Sequence, residues 1–241
     1  MAIFSTSGND AQHPGYLVLL RHGQTAWSVS GQHTGRTDIP LTAVGQGQAV
    51  AAGARIRREF PEGFAEGRVF SSPLRRARQT AQYAGFAGAA TCPGIAEWDY
   101  GRAEGRTRTQ ISEAWQGDWD LWRDGTQVLG HEYEGEHDEL LPSGETVRVR
   151  NTAGEALDEV AARARGVVED VLPVIEGGES VLLVAHAHIL RILTTQWLGV
   201  DPHVAKLLRL DTAHFSVLSL YKGDRVIDHR RVHSRVHRPD A

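Results

Sequence analysis

Short apolar runs recur along the chain, separated by stretches in which apolar residues return every three or four positions. Residues 16–20, 68–71, 180–185 and 215–221 predict strands, as do 225–229 and a short segment around Ala90. Thr42 sits where a helix N-cap belongs, and Ala49, Ala52 and Ile56 follow on one face before Pro61. A second helix is expected from Pro73 through Thr80 and Tyr83, proline being suited to a first helical turn. A third is predicted after a capping box formed by Thr152 and Glu155. Its stripe, Leu157, Val160, Ala161, Ala164, Val167, Val168, Val171 and Leu172, is the clearest amphipathic pattern in the chain. A fourth covers 189–198.

Alternating strands and helices predict an α/β layered domain, and the wholly apolar 181–184 predicts a central strand buried on both faces. Sheets of this kind gather ligands at the carboxyl ends of their strands, where His22, Ser71-Ser72 and His186 fall. The economical division is a single domain over 15–230, preceded by a mobile segment, 1–14, and followed by a basic tail, 231–241. Within it, 97–150 reads as a lid-like insertion of short helices and loops. Its four tryptophans are read as packing anchors.

Composition narrows the setting. The 241 residues hold one cysteine, Cys92, so neither an intrachain disulfide nor a cysteine metal cage is available, and a reducing, cytoplasmic location is expected. No apolar stretch is long enough for a membrane span, and no leader pattern opens the chain. Net charge is −4, with acids concentrated in 97–145 and arginines in 230–238; nucleic acid and membrane are not expected as partners. A homodimer through an edge strand or the basic tail is compatible with this pattern.

Four separated segments carry candidate chemistry. Arg21-His22-Gly23 follows the first strand. An imidazole beside a guanidinium, where a buried strand meets a glycine turn, can hold a nucleophile against a phosphoryl group; the same pair would also serve simply to end a strand. Ser71-Ser72-Pro73-Leu74-Arg75 ends the second strand. Arg75 is expected in the first turn of the next helix, pointing back over the strand tip to bind phosphate, with Arg76 and Arg78 on the surface.

The third segment, Val184-Ala185-His186-Ala187-His188, follows the central strand, with His186 nearer its tip. A His-x-His here also suits a binuclear metal site, but Ile189-Leu190-Arg191 supplies no carboxylates, so neither a metal nor another cofactor is expected. In the fourth, Glu97 lies among Trp98, Tyr100 and Gly101. Together they suit one reaction: His22 attacks phosphorus, Glu97 protonates the departing alcohol, and Arg21, Arg75 and His186 stabilise the phosphoryl oxygens.

In this order, the motifs resemble those of the histidine phosphatase superfamily, over roughly 16–220. That resemblance implies a three-layer sandwich of the phosphoglycerate mutase-like kind, with a mostly parallel central sheet flanked by helices, and a metal-independent phosphomonoesterase. Gln24-Thr25, Trp27-Ser28, the segment 31–38 and Trp122-Arg123-Asp124-Gly125 are similar to the sedoheptulose-bisphosphatase-like and bacterial acid phosphatase branch. That likeness implies a small phosphorylated sugar as substrate, with Gln24, Thr25, Ser28, His33, Thr34, Gly35, Tyr100 and Ala187 at the substrate pocket. Phosphoglycerate mutases carry asparagine where Ser28 stands. A mutase-type phosphotransferase and a phosphate-binding module with weakened catalysis remain the alternatives, the latter because the family's usual His-Gly is here His186-Ala187.

Overall fold

A computed structural model describes residues 14–229. The basic tail and all but the last residue of the expected mobile segment lie outside the described residues. In chain order the elements are β1 (Leu17–Arg21), α1 (Ala26–Ser30), α2 (Ala43–Glu59), β2 (Val69–Ser71), α3 (Arg75–Tyr83), β3 (Ala90–Thr91), α4 (Arg108–Trp115) and α5 (Leu121–Asp124). They continue with β4 (Gly135–Leu140), β5 (Thr146–Asn151), α6 (Leu157–Glu176), β6 (Val181–Ala185), α7 (Ala187–Leu198), β7 (Phe215–Tyr221) and β8 (Asp224–Ile227).

Six strands form one sheet in the order β3-β2-β6-β1-β7-β8. The pairs β3–β2, β2–β6 and β6–β1 are parallel, while β7 pairs antiparallel with both β1 and β8. Successive strand residues point to opposite faces, so β1 and β6 divide their side chains between two cores. Leu17, Leu19, Val181 and Leu183 pack with Val160, Val168 and Val171 of α6 and Leu193 of α7. Val18, Leu20, Leu182 and Val184 pack with Ala52 and Ile56 of α2 and Ala81 of α3. Helices on both faces of a mainly parallel sheet make the expected three-layer α/β sandwich. No helix among the described residues is long and apolar enough to cross a membrane.

Two helix starts differ from their sequence reading. α3 begins at Arg75 after an uncapped Leu74, two residues later than Pro73. α6 begins at Leu157: the backbone N–H of Ala156 donates to Glu159 Oε2. Thr152 and Glu155 form no capping box, because Thr152 Oγ1 donates to Asp99 and the Glu155 carboxylate accepts from Arg163. The insertion expected over 97–150 as short helices and loops also contains the hairpin β4–β5, whose Val147 and Val149 are buried while Thr146, Arg148 and Arg150 face solvent.

Candidate active site

The ends of β1 and β6, α1 with the segment after it, and the loop holding Glu97 converge on a hollow of about 200 Å³ at the carboxyl edge of the sheet, lined among others by Arg21, His22, Glu97, Tyr100, Ala187 and His188. The close turn after β1 depends on glycine. A Cβ on Gly23 would lie 2.3 Å from the carbonyl oxygen of Gly45, and one on Gly45 would lie 2.1 Å from that of Gln24. With neither present, the start of α2 packs directly beneath the turn that carries His22.

His22 is buried, and its Nδ1 lies 2.7 Å from the carbonyl oxygen of Gly23. A carbonyl only accepts, so Nδ1 carries the proton and the neutral ring has a bare Nε2. Burial, reinforced by the Arg76 and Arg21 guanidinium groups, pushes the imidazole pKa well below its ordinary value. The ring thus remains uncharged, with a lone pair on Nε2.

His186, the residue before α7, is wholly buried with its ring centroid 5.1 Å from that of His22. Its Nδ1 accepts from Arg76 Nε over 3.0 Å, and its Nε2 lies 2.7 Å from Ser72 Oγ. Arginine can only donate, so the proton of this imidazole is on Nε2. Burial and then Arg76 push its pKa well down too.

The second-strand arginine at this site is Arg76, not Arg75. Arg75 stands half exposed beyond the hollow: its backbone N–H donates to Asp38 and its side chain pairs with Glu145. Because α3 starts at residue 75, its buried face runs through Arg76, Ala77, Thr80 and Ala81. The buried Arg76 guanidinium also donates from Nη1 to the Thr37 carbonyl and from Nη2 to those of Thr34 and Gly35. Arginine at 76 with threonine at 80, flanked by alanines at 77 and 81, was the sequence signal for this face.

Arg21 donates from Nη1 to the Leu210 carbonyl over 2.8 Å, while its buried Nε has no hydrogen-bond partner among the described residues. A buried guanidinium N–H without an acceptor is costly unless an oxyanion meets it. Glu97 is buried, and its carboxylate accepts from three backbone amides, those of Trp98, His188 and Ile189. It is therefore tied to the N-terminal turn of α7, beside His186.

Of the expected substrate-pocket residues, Ser28, His33, Thr34, Tyr100 and Ala187 line the hollow. Gln24, Thr25 and Gly35 stand behind the lining. Gln24 bonds Gln48 and Thr42, Thr25 caps α1, and Gly35 gives its N–H to Glu104 and its carbonyl to Arg76. His188, which the sequence reading left without a role, also lines the hollow, its Nδ1 2.5 Å from the Tyr100 hydroxyl. Trp27 and Gln32 line it as well, each donating to Glu139 of the β4–β5 hairpin, at 2.8 and 3.0 Å.

Such a sandwich, with two neutral imidazoles and two guanidinium groups at its strand tips, defines a phosphoryl-binding α/β protein. Residues 17–139 and 126–232 match the model of the histidine phosphatase superfamily, branch 1, and the chain belongs to that family. It is 32% identical over 215 residues to an acid phosphatase of Mycobacterium tuberculosis, covering 87% of this chain and 88% of that protein. A sedoheptulose 1,7-bisphosphatase of Saccharomyces cerevisiae is 31% identical over 204 residues, covering 76% and 67%. Among solved structures, the product of a Mycobacterium tuberculosis open reading frame superposes with a TM-score of 0.71 at 31% identity, covering 89% of this chain and 95% of that one.

Proposed function

We propose that the protein is a phosphatase that hydrolyses small phosphorylated sugars through a phosphohistidine on His22. The reading rests above all on the bare Nε2 of His22 and the unpartnered Nε of Arg21, two residues that line the same hollow. Phosphatase relatives over most of the chain length agree with it.

The nucleophile Nε2 forms a bond to phosphorus as the bond from phosphorus to the alcohol oxygen breaks, and Glu97 gives that oxygen its proton. Water then attacks phosphorus, the N–P bond breaks, and Glu97 takes the water proton; inorganic phosphate leaves. Arg21, Arg76 and the Nε2–H of His186 stabilise the equatorial oxygens as charge spreads over them. Ser72 Oγ, 2.7 Å away, orients that N–H.

Rapid mixing with a sugar phosphate, followed by an alkaline quench and mass analysis, tests the covalent step. One phosphoryl group is expected on His22, together with free phosphate in the absence of any bisphosphorylated primer. Near-normal turnover by His22→Ala would remove the mechanism, and phosphate transfer to a second sugar without release would establish the mutase alternative.

A further inference from the structure

Arg21 is the one cationic side chain among the described residues that lines the hollow. Cations outside the lining have partners of their own. Arg106, which follows the Glu104 segment, donates to the carbonyl of Arg102 and lies over the Tyr133 ring, 5.1 Å from its centroid. Arg36 pairs with Glu155 at 3.3 Å, Arg75 with Glu145, and Lys206 with Asp120 at 2.9 Å. Arg191 stacks over Trp122, its guanidinium carbon 5.0 Å from the ring centroid, and donates to the carbonyls of Ala205 and Lys206. Once Arg21 and Arg76 have met the transferred phosphoryl group, a second anion on the substrate finds no cation here.

Apart from Glu97, the rest of the lining carries no charged side chain, and one of its hydrogen-bonding groups, His33, is held in a fixed orientation. Its Nδ1 lies 2.9 Å from the Arg106 carbonyl oxygen, so that nitrogen carries the proton and Nε2 presents a lone pair. The ring is wedged edge-on between Tyr100 and Trp119, with both centroid distances 5.0 Å. Burial also pushes its pKa down, which keeps it neutral. A fixed lone pair accepts from a hydroxyl and repels a carboxylate or phosphate.

We infer that the site selects monophosphate esters of uncharged polyhydroxy alcohols over esters that carry a second anionic group, with His33 Nε2 as the specificity-determining acceptor for a substrate hydroxyl. This deepens the proposed phosphatase reading and rests on it for the position of the phosphoryl group. It also separates this chain's substrate from the bisphosphate in the name of its yeast relative.

Two matched pairs test it: glycerol 3-phosphate against 3-phosphoglycerate, and fructose 6-phosphate against fructose 1,6-bisphosphate. The neutral-alcohol member of each pair is expected to have the higher kcat/KM for phosphate release, by about tenfold or more. His33→Lys, which replaces the acceptor with a cation, should shift both ratios by about tenfold toward the anionic member. Calorimetric affinities of the four esters for His22→Ala give the same ranking without turnover. Equal or better release from the anionic members overturns the inference and leaves the phosphatase reading intact. No release from any ester, with the affinity ranking preserved, overturns the phosphatase reading alone; neither release nor binding overturns both.

Discussion

Nε of Arg76 donates to Nδ1 of His186 across 3.0 Å, and this bond fixes the tautomer of the imidazole that faces His22. A single side chain from β2–α3 thus orients a residue from β6–α7, while its other nitrogens hold the carbonyls of Thr34, Gly35 and Thr37. Two separate parts of the site, the β6–α7 junction and the segment 34–37, share one support.

Replacing that support should be far more damaging than replacing its neighbour. Arg76→Ala is expected to lower kcat/KM for phosphate release by about 10²–10³, the usual loss for one transition-state donor. Arg75→Ala removes a half-exposed ion pair worth roughly 0–1 kcal/mol, and its activity should stay within a few-fold of the parent. Parallel kinetics of the two variants check the assignment; equal losses would return Arg75 to the site.

Glu97 makes a different kind of prediction, because its carboxylate both faces the hollow and receives three backbone amides. Glu97→Gln should reduce kcat by about two to four decades, the usual contribution of a general acid. The loss should shrink with a leaving group that needs no proton. Comparing an alkyl phosphate with p-nitrophenyl phosphate measures this difference, and equal losses on the two would assign Glu97 a purely structural role at the start of α7.

The layering of the fold and the strand-tip position of the chemistry were both legible in the sequence. Both follow from short-range patterns: apolar runs such as 181–184, helical stripes such as 157–172, and glycine where β1 turns. The choice between Arg75 and Arg76 was not so accessible. It depends on the rotation of α3, and a start two residues after Pro73 turns each position by more than half a revolution. The β4–β5 hairpin was hidden by its charge. In Thr146-Val147-Arg148-Val149-Arg150 the period of two is plain, but its partner Gly135–Leu140 is mostly polar and mostly exposed, with its one large apolar residue, Leu140, facing solvent, so the pairing partner had no buried apolar alternation. His188 lacked a signal for another reason: its role depends on Tyr100, 88 positions earlier.

Ala187 departs from the family pattern at the first residue of α7, on the wall of the hollow. Its φ is not positive, so the alanine is unstrained and the backbone does not require glycine. The consequence is steric: a methyl group stands on the wall of the hollow proposed to receive the phosphoryl group. Ala187→Gly should raise kcat several-fold, while lowering stability by about 0.5–1 kcal/mol through helix propensity. Phosphate-release kinetics and denaturant unfolding measure the two effects. Unchanged or reduced kcat in Ala187→Gly would mean that the methyl group does not obstruct the reaction.

Glu104 links the site wall to stability through pH. Burial pushes its carboxyl pKa from an ordinary 4.5 up to about 7, although it accepts from the backbone amides of Gly35 and Thr37. In the unfolded chain the group loses its proton near the ordinary value. Between these two points the folded protein binds more protons than the unfolded one, so this group makes stability fall as pH rises. Its cost is absent below about 4.5 and complete above about 7, where it reaches roughly 3 kcal/mol. Glu104→Gln cannot ionise and should lack that slope, even though losing a carboxylate oxygen shifts its baseline. Urea unfolding at intervals from pH 4.5 to 7.5 should therefore show wild-type stability falling relative to Glu104→Gln as pH increases. Parallel curves over that window would mean that Glu104 titrates at its ordinary value.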